Sequence, residues 1–218
     1  MIAEQRQSHG EEIANVITHG SGILLGIAAF YVLMKAAVGS GDPWAISTFA
    51  VYVVCMTASY VTSTCYHASI KARPKCVWRR YDHSAIYLHI AGTYTPFSLV
   101  MLRHEGIWGW LLFAIVWIAA AIGVWWSFHK MKKNDHVKTA CYLAMGCVVF
   151  IAFKPLLDVC RATGTMAVLY WLIAGGAFYI FGSIFFFLDK YKYMHPLWHI
   201  FVLCGSGCHV ISVYSILG

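Results

Sequence analysis

Charge is what this chain has least of. Aspartate, glutamate, lysine and arginine make up 11% of its 218 residues, against about 25% in a typical soluble domain. That scarcity excludes an ordinary water-soluble globule. Low-complexity tracts and internal repeats are also missing, so nothing marks a linker or a second domain. None of the eight cysteines forms a CxxC pair, and most lie inside apolar runs. No disulfide framework follows, and they read as small buried hydrophobes. A cleavable secretory signal is not expected either. MIAEQRQSHGEEIAN is polar and partly acidic, and no small-residue cleavage site ends the long apolar run after it.

What is present is apolar. Hydrophobic residues account for 60% of the chain. They fall into seven stretches, at about 14–36, 45–67, 84–102, 107–128, 138–157, 167–188 and 196–217. Each is near the ~20 residues that a membrane-spanning helix needs. The spacing predicts an all-α, polytopic integral membrane protein over residues 1–218, a single bundle of seven transmembrane helices. The third stretch carries Gly92 and Pro96 in AGTYTP. Proline removes a backbone donor there, and Thr93 and Thr95 are placed to re-satisfy backbone groups it frees.

The formal charge is +7. In a soluble protein that excess raises the question of nucleic acid. Here the basic residues sit in short loops, chiefly KARPKCVWRR at 71–80 and KMKKNDHVK at 130–138. Membrane topology accounts for them, no nucleic-acid-binding pattern is present, and no nucleic-acid partner is expected. Twelve of the sixteen lysines and arginines fall on one side of a seven-helix chain; Lys35, Arg103, Lys154 and Arg161 fall on the other. The positive-inside rule then puts the N-terminus in the cytoplasm and the C-terminus outside.

The histidines and carboxylates gather at one membrane face in this topology. Glu12, Asn15 and His19 start the first helix, Ser63 and His67 end the second, Asp82 and His83 precede the third, and His195 and His199 open the seventh. His195 and His199, four apart, project from one helix face and can share one metal ion. Pro196 suits the first turn, where its missing N–H costs nothing. His67 is the candidate third ligand. Three histidines with one open position make a catalytic-type zinc site. Alternatively, a lone histidine such as His67 is an interfacial anchor. Asp82 reads either as the N-cap of the third helix or as a carboxylate that holds or deprotonates water at the metal. Ser63 is either a small packing residue or a hydrogen-bond partner near the metal. His89 is expected to hydrogen-bond within the bundle. His209 stands about 15 Å along the helix from His199, too far to ligate the same ion. Lys154 and Asp158 read as a helix-end ion pair.

Four quoted stretches together carry a resemblance: EEIANVITHG at 11–20, STCYHA at 63–68, YDHSAIYLHIAGTYTPF at 81–97 and HPLWHIFVL at 195–203. In order and placement they resemble the haemolysin III branch of the progestin and adipoQ receptor family, whose more distant relatives are the adiponectin receptors and alkaline ceramidases. The resemblance implies one zinc ion per chain near the cytoplasmic face, bound by His67, His195 and His199. It implies that Asp82 contacts the zinc's water, that Ser63 belongs to the same element as His67, and that Glu12 and Asn15 brace the site. It also implies a bacterial inner-membrane protein without a protein-hormone partner. The reading that follows is a zinc-dependent hydrolase of a lipid amide or ester serving membrane homeostasis, with membrane lipid as environment and substrate. Asp82 would be its base and Ser63 would hydrogen-bond the developing oxyanion. A non-enzymatic membrane-state sensor with structural zinc is the alternative. A pore-forming cytolysin ranks third, because a water-filled pore needs polar residues through the bilayer centre and the fourth, sixth and seventh stretches read as apolar in their middles.

Overall fold

The computed structural model describes residues 7–129 and 136–218, and all regular structure among them is helical. The helices are α1 (His9–Ser40), α2 (Pro43–Ala68), α3 (Ala72–Pro96), α4 (Trp108–His129), α5 (His136–Gly146), α6 (Phe153–Thr163), α7 (Met166–Phe187) and α8 (Met194–Tyr214). Most of the loops that joined the basic count, including Lys71 to Arg80, are described; Arg6, Lys130, Lys132 and Lys133 lie outside the described residues.

Local chemistry sets the ends of these helices. Ser8 and Glu11 form a reciprocal capping box on α1: the Ser8 N–H donates to Glu11 Oε2 at 2.8 Å, and the Glu11 N–H donates to Ser8 Oγ. Gly41, at φ 68°, closes α1 in the left-handed conformation that glycine adopts without strain. Asp42 then caps α2, accepting from the Trp44 N–H at 2.9 Å, with Pro43 in the first turn. Tyr193 is the one described non-glycine residue at positive φ, 62°, and it precedes α8. Its N–H donates to Glu11 Oε1 at 2.9 Å. The turn that presents His195 is therefore tied to the cap of α1.

Among the described residues six spans are long and apolar enough to cross a membrane: α1, α2, α4, the α5–α6 rod, α7 and α8. Their outward faces are apolar, with Leu24 and Tyr31 each 68% exposed and Phe150 70% exposed. Such surfaces suit lipid and would be costly in water. α3 differs. The expected third segment, 84–102, is only the later part of a helix that begins at Ala72. Its first turns carry Arg79, Arg80, Asp82 and His83. Lysine and arginine are good helix formers, so a basic stretch that read as a loop is helical. Asp82 consequently lies well inside α3, which overturns its reading as a helix cap.

Beyond Pro96, α3 runs on as a π-helical turn, Phe97–Met101. Pro96 frees the Gly92 carbonyl. Between Gly92 and Pro96, Thr93 and Thr95 donate back to the carbonyls of His89 and Ala91, each at 2.8 Å, and not to that of Gly92. A 3₁₀ stretch, Cys147–Ala152, separates α5 from α6. Tyr94 staples this break. Its hydroxyl reaches the carbonyls of Gly146 (2.6 Å) and Met145 (3.0 Å) and accepts from the Val149 N–H (3.0 Å). Apolar surroundings demand such partners for freed backbone groups.

α1 packs between α2 and α8, α3 between α2 and α4, and α7 against α8. Close approach of α1 to α2 needs Gly22, where a Cβ would stand 2.4 Å from the buried Tyr60 ring. The cysteines divide. Cys160 and Cys208 are buried as expected, whereas Cys76, Cys147 and Cys204 are exposed. Lys154 and Asp158 form the expected ion pair, at 2.6 Å.

Candidate metal centre

The helices bring His67, the last turn of α2, against His195 and His199, the first turns of α8. One ring nitrogen from each lies within 4.8 Å of the others. Ring centroids are 5.2 Å apart from His67 to either partner and 4.6 Å apart within the α8 pair. His67 and His199 are buried and His195 is partly buried.

Hydrogen bonds fix which nitrogen is available. His67 Nδ1 lies 2.8 Å from Glu12 Oε2. A carboxylate only accepts, so Nδ1 carries the proton and Nε2 keeps its lone pair. Glu12 Oε1 in turn accepts from Lys75 Nζ at 2.7 Å. Asn15 Nδ2 lies 3.2 Å from the same histidine nitrogen. His199 Nδ1 lies 3.2 Å from Thr18 Oγ1. The Thr18 hydroxyl donates to the Ala14 carbonyl at 2.8 Å, so its oxygen is free to accept from His199. The outcome is the same in both rings: Nδ1 is tied to α1, while Nε2 is buried with no partner among the described residues. Two such orphaned imidazole nitrogens, facing a third histidine, fit a borderline metal ion such as zinc. The Glu12–His67 pair is the carboxylate–histidine arrangement that raises ligand basicity.

Asp82 is not among the close donors. It lines the same cavity as His67 and His195, 3.6 Å from His83. Ser63 is buried, and its oxygen is 2.6 Å from His19 Nδ1. The cavity itself measures about 1210 Å³. It runs from Glu12 and Lys75 past the histidines to Phe153, Leu156 and Leu112.

A model of the family described as haemolysin-III related matches residues 7–210. The chain belongs to the haemolysin III-related family. That family lies within the progestin and adipoQ receptor family. The chain is 41% identical over 197 residues to "Hemolysin-3" of Bacillus cereus, covering 90% of this chain and 87% of that one. It is 40% identical over 203 residues to "Hemolysin-3 homolog" of Bacillus subtilis (strain 168), covering 93% and 92%. With six apolar helices, membership makes the protein an integral membrane protein.

In this haemolysin III-family chain the structure gathers Glu12, Asn15, Ser63, His67, Asp82, His195 and His199 at one end of the bundle, though in different roles. His67, His195 and His199 converge; Glu12 and Asn15 contact His67; Asp82 lines the shared cavity. Ser63 reaches His19 rather than the three-histidine group. Thr18 and Lys75 were missed as participants, and His19 was placed at this face but given no role. His19 stacks on His199, with centroids 3.4 Å apart. Thr18 holds His199, and Lys75 holds Glu12. Thr18 and His19 follow Glu12 and Asn15 at helical spacing, and that periodicity was the available signal. The middle of the last helix also departs from expectation. Ser206, His209 and Ser212 are buried there, so the seventh stretch is polar on its inner face.

Proposed function

We propose that this protein is a zinc-dependent hydrolase of a lipid amide or ester, acting within a bacterial plasma (inner) membrane. The observation that carries the reading is the pair of orphaned, buried Nε2 atoms on His67 and His199, each pre-set by α1, beside His195. Three close donors, with Asp82 standing off, favour an open catalytic-type site over the closed four-ligand structural site that a sensor role would use. The name carried by the Bacillus relatives offers a pore, but a three-histidine centre has no part in that reading.

We take α3 as a seventh crossing, with the N-terminus and the metal centre on the cytoplasmic side. The basic residues of Lys71–Arg80 support this orientation.

A zinc ion held by the three histidines supplies Lewis acidity toward a carbonyl and a more acidic water. The chain's own groups do the rest. Glu12 and Thr18 hold the imidazoles in the ligating tautomer. Asp82 takes a proton from the attacking water and returns it to the leaving nitrogen or oxygen as the C–N or C–O bond breaks. The Ser63 hydroxyl donates to His19 Nδ1, which leaves the His19 Nε2–H to meet the developing oxyanion. The long apolar cavity takes the acyl chain and keeps bulk water away.

The test is elemental analysis of detergent-purified protein beside His67→Ala and His195→Ala. About one zinc per chain, lost in both variants, is expected, with release of fatty acid from lipid amides or esters that Asp82→Asn abolishes. No metal in a folded wild-type preparation, even after zinc is offered, overturns the hydrolase reading.

A further inference from the structure

The metal centre leaves a second polar group unexplained, deeper in the same cavity. His89 on α3 and His209 on α8 both line it. They are 6% and 8% exposed. Each has a buried ring nitrogen without a partner among the described residues: Nε2 of His89 and Nδ1 of His209. Burying such atoms unpaired is costly, and apolar lining alone would not call for them.

The state of His209 follows from its neighbour. His209 Nε2 meets the Leu172 carbonyl at 3.3 Å. A carbonyl only accepts, so Nε2 carries the proton and Nδ1 is a bare lone pair that needs a donor. The ring is held in place from two sides. It packs on the bare backbone of Gly175, where a Cβ would come within 2.2 Å of His209 Cδ2. Tyr179 lies 5.3 Å from it, centroid to centroid, and is fixed by a 2.8 Å bond to Ser206. His89 sits edge-on to Tyr60 at 6.1 Å, and Tyr60 donates to the same Ser206 at 2.6 Å. His89 and His209 face the one cavity from α3 and α8. This is a built, oriented polar site rather than a stray residue.

We propose that His89 and His209 form a hydroxyl-binding subsite, and that the cavity's ligand is a lipid carrying a hydroxyl group well down its apolar chain. A hydroxyl gives one proton, to His209 Nδ1, and accepts another from His89 in the tautomer that places the hydrogen on Nε2. A plain acyl chain offers neither. A carbonyl has no proton for His209, and an ammonium would bring an unpaired charge. Position follows from helical rise. Asp82 to His89 spans about 10 Å, and His199 to His209 about 15 Å. The hydroxyl therefore lies about 10–15 Å from the metal centre, far from the reacting carbonyl. The proposal rests on reading the cavity as a lipid chamber, but not on hydrolysis.

The experiment is competition binding on purified protein in nanodiscs, freed of metal by chelator, with a fluorescent fatty acid as tracer. Stearate, 12-hydroxystearate and 2-hydroxystearate are the competitors. The expected result is roughly tenfold tighter binding of 12-hydroxystearate than of stearate, with no such gain for the 2-hydroxy acid. His209→Leu and His89→Leu should abolish the preference and keep stearate binding. His209→Gln, which retains an acceptor, should restore part of it. Equal affinity for the three acids in wild type overturns the proposal, as does failure of any of them to bind. A preference that survives both leucine variants overturns it as well. The readout involves neither metal nor turnover. A preference without hydrolysis sinks only the hydrolase reading, and hydrolysis without preference sinks only the subsite.

Discussion

Replacing Glu12 should weaken metal binding without touching a ligand. Glu12 Oε2 sits 2.8 Å from His67 Nδ1 and fixes Nε2 as the lone pair. Its side chain is 21% exposed and shares its charge with Lys75 at 2.7 Å. Loss of such an outer partner costs about 10–100-fold in metal affinity, or about 1.4–2.7 kcal/mol. Glu12→Gln keeps a carbonyl acceptor near Nδ1 and loses only the charge, so it belongs at the tenfold end. Glu12→Ala loses the acceptor and also leaves the Lys75 ammonium uncompensated near His67, so it belongs at the upper end. Lys75→Met discriminates the mechanism. With Lys75 gone, Glu12 serves His67 alone, and zinc affinity should hold or rise. The assay is zinc competition against a chromophoric chelator in detergent, with thermal unfolding of the zinc-free protein as a fold control. Unchanged zinc affinity in Glu12→Ala would refute the claim that Glu12 sets the tautomer. Equal weakening in Lys75→Met and Glu12→Ala would make the ion pair a clamp between α1 and α3 and nothing more.

The same reasoning yields three smaller expectations. Thr18→Val keeps the shape but removes the acceptor for His199 Nδ1, and should loosen zinc by about tenfold or less, because stacking on His19 still holds the ring. Tyr94→Phe leaves the Val149 N–H and two carbonyls at the α5–α6 break without their partner. It should cost about 1–3 kcal/mol in reversible unfolding, with zinc affinity unchanged. A variant whose sole cysteine is Cys76, which is exposed at the start of α3, should react with a membrane-impermeant maleimide only after cells are permeabilised. Labelling in intact cells would reverse the proposed orientation.

Lipid as solvent makes part of this protein easy to read. Each crossing must satisfy its own backbone and bury no charge, so six apolar spans stand out by length alone. The His195/His199 pair was legible for a related reason: ionisable groups in such helices are expensive and cluster where they are used, and their spacing states a geometry. Other features were hidden by their type. The early turns of α3 are charged, and in a membrane protein charge marks loops, so a helix from Ala72 was obscured. The break at Cys147–Ala152 contains neither proline nor glycine; the side chain that makes it tolerable, Tyr94, is far away in sequence. His89 and His209 were each a lone histidine on a different helix, and only packing places both on one cavity.

The role of α1 explains why the metal centre sits where it does. α1 supplies none of the three candidate ligands, yet it lies between the two helices that carry them, α2 and α8. Along one face it presents Glu12 to His67 and Thr18 to His199, with His19 stacked on His199 and bonded to Ser63 of α2. At its start, Glu11 holds the strained Tyr193 turn that launches α8. One helix thus sets the tautomer of two candidate ligands and the entry angle of the helix carrying the third. A metal ion joining His67 to the α8 pair closes a triangle whose other two sides already run through α1. The site is then preorganised before metal arrives, because its costs of orientation are met in folding. Zinc should accordingly raise the unfolding temperature of wild type while leaving its far-ultraviolet circular dichroism unchanged. A large gain of helix on adding zinc would mean that the ion builds the bundle end instead of occupying it, and would put the alternative, a sensor with structural zinc, ahead of the hydrolase.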